Sequence, residues 1–184
     1  MSANSHDNNK PRTAVKDMVF TAMFAALIAV CSIISIPIGE VPVTLQTFAI
    51  CLTAAMLGWK RGTLAVFIYI LLGAIGVPVF AGMSGGIGIL AGPTGGYIIG
   101  FILTSLIVGF AADRWARKAL PLAISMVAGV LACYVTGTIW FMVVTGMGLV
   151  ESLMLCVVPF LLFDAAKIAL AVLLSNRLSK VVNL

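Results

Sequence analysis

Charge is nearly absent from the interior of this chain, and where it is absent the apolar runs are long enough to cross a lipid bilayer. A helix needs about 20 residues to span a hydrocarbon core of about 30 Å. Residues 18–39 form one such run, 41–59 a second shortened by Pro42, and Thr63 to Ala112 a third that is too long for one helix and too short for three. The middle of that run, from Gly82 to Gly96, holds seven glycines in fifteen residues, so the run divides there into spans at 62–79 and 94–113. A fifth span is predicted over 121–146, closed by the Gly146-Met147-Gly148 turn, and a sixth over 152–177. With 62% hydrophobic and 9% charged residues, the expected fold is an all-α integral membrane protein, a single bundle of six transmembrane helices over 18–180. Residues 1–17 are polar, lack a secretory signal pattern, and are expected to form a disordered cytoplasmic tail.

The few basic residues fix an orientation. Lys10, Arg12 and Lys16 precede the first span, Lys60 and Arg61 join the second and third, Arg114, Arg117 and Lys118 join the fourth and fifth, and Arg177 and Lys180 follow the sixth. Of eleven Lys and Arg, ten therefore fall on one side, and the opposite connections at 37–43, 80–93 and 147–151 hold none. The positive-inside rule then places both termini in the cytoplasm and those three loops outside. The net charge of +5 is accounted for by topology, which removes the reason to invoke nucleic acid.

The eleventh basic residue is Lys167, three positions after Asp164, inside the sixth span. An ionisable side chain at the bilayer centre costs roughly 2.5 to 3.5 kcal/mol on insertion scales, so two of them point to a function. At i and i+3 they share a helix face, where they can pair with each other or grip one polar guest. A purely structural ion pair is the competing reading.

Enzyme chemistry has little to work with. His6 is the single histidine and lies in the tail, so no Ser-His-Asp or His-Glu arrangement is available. Cys31, Cys51, Cys133 and Cys156 are widely separated in apolar surroundings and read as small hydrophobes, with neither a metal site nor a disulfide implied. No Walker motif occurs, so ATP could energise this chain only through other polypeptides. The segment Gly82 to Gly96 lacks the spacing of a dinucleotide fingerprint; its glycines either admit a ligand close to the backbone or permit tight turns and close helix packing. In the first span Ala22 and Ala26, and again Ala25 and Ala29, recur at four-residue steps, a small-residue stripe suited to close helix approach, inside the protein or against a partner.

Several segments together resemble the BioY-type biotin-specific substrate-binding subunits (S-components) of energy-coupling factor (ECF) transporters. They are Ile36-Pro37-Ile38-Gly39-Glu40-Val41-Pro42-Val43-Thr44-Leu45-Gln46-Thr47-Phe48, Leu57-Gly58-Trp59-Lys60-Arg61-Gly62, Leu72-Gly73-Ala74-Ile75-Gly76-Val77-Pro78-Val79-Phe80, and Gly92-Pro93-Thr94-Gly95-Gly96-Tyr97. With Asp164 and Lys167 the resemblance extends over about 15–180. It implies a six-helix S-component fold with a cavity near the outer face, and high-affinity biotin capture without a cofactor bound by this chain. It also implies partners: a transmembrane coupling subunit, met by the stripe of Ala22, Ala25, Ala26 and Ala29, and two ATPase subunits that consume ATP. Asp164 and Lys167 would hold the ureido ring, Tyr97 would stack or hydrogen-bond, and Thr44 with Gln46 would form a lid. Ser84, Gly86, Gly95 and Gly96 would lie against the ligand, with backbone N–H groups between Ser84 and Gly96 meeting its carboxylate. After Pro78-Val79-Phe80, where members often carry an amide side chain, this chain has Ala81-Gly82-Met83-Ser84. A self-sufficient secondary transporter for biotin or a related vitamin, with Asp164 titrating, is the alternative function; a non-transporting membrane scaffold is a third.

Overall fold

The computed structural model describes residues 10–36, 41–115 and 118–181, with side chains for 14–36, 41–115 and 118–180. Its elements run α1 (Lys10–Ile33), β1 (Ser35–Ile36), β2 (Val43–Thr44), α2 (Gln46–Ala74), a 3-10 turn (Ala81–Met83), α3 (Ile87–Ala91), α4 (Gly95–Arg114), α5 (Ala119–Thr145), α6 (Leu149–Cys156) and α7 (Val158–Val181). Among the described residues, five helices are long and apolar enough to cross a membrane. Their outer faces carry large bare hydrophobics such as Val143, Leu162 and Leu173, a surface that suits lipid rather than water.

The region expected to hold spans two and three is continuous in α2 but folded back on itself. Gly58 adopts φ 75°, ψ −177°, a backbone region essentially reserved for glycine. Beyond it the chain reverses. A Cβ on Gly62 would lie 2.9 Å from the Cα of Ala54, whereas eight residues of straight helix would separate them by about 12 Å. Gln46, which opens the first limb, and Tyr69 of the second are hydrogen-bonded. The second limb opens with the Trp59 N–H donating to Asp113 Oδ2 at 3.1 Å, so the end of α4 caps it. At the same end, Arg61 pairs with Asp17 of α1 at 2.7 Å. The basic segments at 10–16, 60–61 and 114 are thereby gathered at one pole of the bundle.

Several expected boundaries move. Helix α1 begins at Lys10, so residues 10–17 belong to the helix rather than to a tail, and the expectation for 1–9 lies outside the described residues. It ends at Ile33, not at 39, because β1 pairs antiparallel with β2, Ser35 opposite Thr44. Span three stops at Ala74 and the chain turns through Gly76, φ 102°. Helix α5 closes as expected, with Gly146 left-handed and its N–H on the Met142 carbonyl at 2.9 Å. The sixth span is two pieces, α6 and α7, broken at Val157 just before Pro159, whose missing N–H is harmless only in a first helical turn.

Helices α4 and α5 meet in a close seam. A Cβ on Gly96 would stand 2.2 Å from the Cβ of Trp140, and one on Gly137 would enter the Tyr97 ring at 2.3 Å. Glycine on both sides lets the backbones approach, as small residues do between helices in lipid.

Candidate substrate-binding site

A cavity of about 250 Å³ opens between the β1–β2 hairpin, the turn after Phe80 and helices α2, α4, α5 and α7. Its lining includes Val41, Pro42, Ala81 and Ser84 from the hairpin loop and the turn, the apolar Ile89, Ile98, Phe101, Val130 and Phe160, and a polar cluster of Thr47, Tyr134, Asp164 and Lys167. Such a mainly apolar chamber with a few convergent polar groups is the ordinary form of a small-molecule site.

The polar end is assembled from three helices. Asp164 and Lys167, on α7, are 3% and 8% exposed, and Lys167 Nζ donates to Asp164 Oδ1 at 2.8 Å. Thr47, in the first turn of α2, donates from Oγ1 to the same Oδ1 at 2.8 Å and accepts from Lys167 Nζ at 3.3 Å. Tyr134, in the middle of α5, donates its hydroxyl to Asp164 Oδ2. Burial of a carboxylate and an ammonium is tolerable only where each has hydrogen-bonding partners of this kind. Among the described residues no buried side-chain polar atom is left without a hydrogen bond.

Gln46 and Thr44 also line the cavity. Thr44 Oγ1 donates to Gln46 Oε1 at 3.0 Å, and Gln46 Nε2 donates to the Tyr69 hydroxyl. The hairpin that carries Thr44 is thus tied to both limbs of α2. Tyr97 lines the wall, with its hydroxyl 3.4 Å from Thr138 Oγ1 and 3.3 Å from the Cys156 carbonyl. Ser84 also lines the cavity, its hydroxyl donating to the Ala81 carbonyl at 2.8 Å.

The glycines are placed differently from the sequence expectation. Gly86, Gly95 and Gly96 are not in the lining. Gly95 and Gly96 face Leu90, Thr136 and Trp140, where any Cβ would collide, so their work is packing. The N–H groups of Gly86, Ile89, Gly92 and Gly95 already donate to the carbonyls of Gly73, Gly86, Ile89 and Gly92 at 2.7 to 3.2 Å, which leaves these four unavailable to a carboxylate. The alanine stripe divides in the same way. Ala22 and Ala26 are exposed on the outer face of α1, whereas Ala25 is 3% exposed and Ala29 packs against the core.

Sequence reasoning missed Thr47 and Tyr134. Thr47 stood within the quoted Pro-Val-Thr-Leu-Gln-Thr segment, but a threonine in a first helical turn has several ordinary uses, and nothing around Tyr134 distinguishes it from any tyrosine in an apolar helix.

Fold and site together define a helical membrane protein that receives one small, partly polar molecule. The comparisons give the family. A sequence model described as the BioY family matches residues 3–184. "Biotin transporter BioY" of Thermotoga maritima is 43% identical over 166 residues, covering 90% of this chain and 97% of that protein. "Probable biotin transporter BioY" of Pyrococcus horikoshii is 40% identical, covering 89% of this chain and 96% of that one. Among solved structures, the S-component for biotin from an ECF-type ABC transporter aligns with a TM-score of 0.86 and 31% identity, covering 96% of this chain and 95% of the other. The chain belongs to the BioY family.

Proposed function

We propose that this chain is the biotin-binding S-component of an ECF-type transporter and mediates biotin uptake. The observation that carries the reading is the polar end of the cavity, where a buried carboxylate and a buried ammonium stand together at the end of an apolar chamber. Biotin matches that arrangement: its ureido ring offers N–H donors and a carbonyl acceptor, and its thioether ring is apolar. Asp164 accepts from a ureido N–H, Lys167 donates to the ureido carbonyl, and the aromatic and aliphatic walls cover the bicycle. Tyr97 contributes wall rather than a free hydroxyl, and Gln46 with Thr44 holds the hairpin over the mouth, with Ser84 beside it. A ligand without the matching donor and acceptor would leave both charges buried and less well satisfied, which is the strong form of hydrogen-bond discrimination.

The reading includes six membrane crossings with both termini cytoplasmic; the reversal at Gly58, which turns α2 into two antiparallel limbs, and the clustering of basic residues at that pole support it. The cavity then opens outward through the β1–β2 hairpin. Movement of biotin across the membrane depends on a coupling subunit, met at the exposed Ala22 and Ala26, and on two ATPase subunits that supply the energy.

Equilibrium binding of radiolabelled biotin to the purified chain tests the substrate. Uptake into proteoliposomes, with and without coupling and ATPase subunits, tests the mode of action. Tight binding with no uptake by the chain alone is the expected result; accumulation by the chain alone under an ion gradient would instead establish a secondary transporter.

A further inference from the structure

The hydrogen bonds around Asp164 and Lys167 can be counted, and the count specifies the guest more narrowly than the charges do. A carboxylate offers about four lone-pair sites, two on each oxygen. Oδ1 receives Lys167 and Thr47, and Oδ2 receives Tyr134, so one acceptor position remains, on Oδ2. An ammonium has three donors. Lys167 directs one to Asp164 and one to Thr47 and keeps one. Thr47 Oγ1 spends its only proton on Asp164 while accepting from Lys167. The pair is internally neutral, so a ring that is itself charged at this end of the cavity would bring an uncompensated charge into a buried site, whereas the carboxylate of biotin lies at the other end of the ligand.

We propose that Tyr134 and Thr47 are specificity-determining positioning residues that reduce the site to one acceptor and one donor beside a neutral ion pair, and so select a neutral cyclic urea over its cationic guanidine analogue. This rests on the biotin reading above. The urea fills both open positions, one N–H to Oδ2 and the carbonyl to Lys167. A guanidinium, with an imino group in place of the carbonyl, has no acceptor for Lys167 and repels it, and the Tyr134 hydroxyl withholds the second Oδ2 lone pair that could have compensated. Tyr134→Phe frees that lone pair and leaves Asp164 less well neutralised, a change that penalises the urea and favours the cation.

The test is competition of unlabelled biotin and 2-iminobiotin against radiolabelled biotin, on the full chain in detergent, at a pH where the guanidine is protonated. Wild-type protein is expected to prefer biotin by about 10⁴-fold, the discrimination of a site whose buried polar groups go unmatched by the wrong ligand. In Tyr134→Phe biotin affinity falls about tenfold or more, as for loss of a hydrogen bond to a charged group, while 2-iminobiotin affinity holds or rises, so the ratio collapses by at least that factor. Equal weakening of both ligands, with the ratio intact, would show Tyr134 to be structural only and overturn the proposal. Thr47→Val, which opens a position on Oδ1 and removes the second acceptor of Lys167, is read the same way and decides the matter if the tyrosine variant does not yield monodisperse protein. Failure of the wild-type chain to bind biotin at all would overturn the functional reading itself, an outcome distinct from an unchanged ratio.

Discussion

A buried ion pair is weak support for stability, because desolvating both partners offsets most of their attraction, and that is why Asp164 and Lys167 carry information about function. Lys167→Ala leaves Asp164 with two hydroxyl donors, Thr47 and Tyr134, so the protein should remain inserted and folded while losing its donor to the ureido carbonyl. Biotin affinity is expected to fall by about 10- to 100-fold, and equilibrium binding with a thermal-stability control checks it. Asp164→Asn should weaken binding at least as much, since it replaces one accepting oxygen by an N–H donor and also leaves Lys167 a buried charge without its counter-ion. Wild-type affinity in either variant would remove these residues from the site. The pair was legible in the sequence because charge in an apolar run has few innocent explanations. Thr47 and Tyr134 were not, since a hydroxyl in a membrane helix can bond to its own backbone, as Thr53 does to the Ala49 carbonyl at 2.6 Å, and only the fold shows which hydroxyls are diverted across helices.

At the scale of elements, the charges Lys60 and Arg61 sufficed to divide spans two and three, yet the reversal itself rests on the glycine two residues earlier. Gly58→Ala would need φ near 75° and would drive its Cβ to 2.3 Å from the Asp113 carboxylate that caps the second limb. Strain of this kind is worth about 1–3 kcal/mol, with about 1 kcal/mol more if the cap is lost, and it should appear as a lowered midpoint in thermal unfolding in detergent. Asp113→Ala alone should show only the smaller part. Ends of elements were the least legible. The two-residue strands β1 and β2 are too short for a period-2 pattern to register, and the α6–α7 break falls in a run without charge or glycine, where Pro159 is its one mark and a proline is also compatible with a continuous kinked helix. The glycines after Gly82 allowed both ligand contact and helix packing. Trp140 decides for packing at Gly95 and Gly96, a partner 44 residues away from Gly96 that no local pattern announces.

For the whole molecule, the alanine stripe divides between a pair that faces the core and a pair that is exposed, and only the exposed pair is open to the docking proposed above. Ala25 and Ala29 face the protein's own core, while Ala22 and Ala26 lie exposed beside Met23 and Val30, where they can meet only lipid or another chain. In the sequence the four were indistinguishable, because both pairs keep the same four-residue step and only the rotation of α1 about its axis tells them apart. Bulk added at each pair should therefore act on different measurements. Ala22→Trp and Ala26→Trp should leave biotin binding to the isolated chain within about twofold, since neither touches the cavity, and should lower ATP-dependent uptake by the assembled transporter about tenfold or more, the effect of losing ~1.4 kcal/mol of close helix packing. Ala25→Leu, overpacked against the core, should instead lower thermal stability by about 1–3 kcal/mol and carry binding down with it. Co-purification with the coupling subunit distinguishes the two outcomes directly: full complex recovery with Ala22→Trp would move the docking surface to another face of the bundle, whereas loss of the complex with binding intact would place the boundary between capture and energised release along the outer stripe of α1.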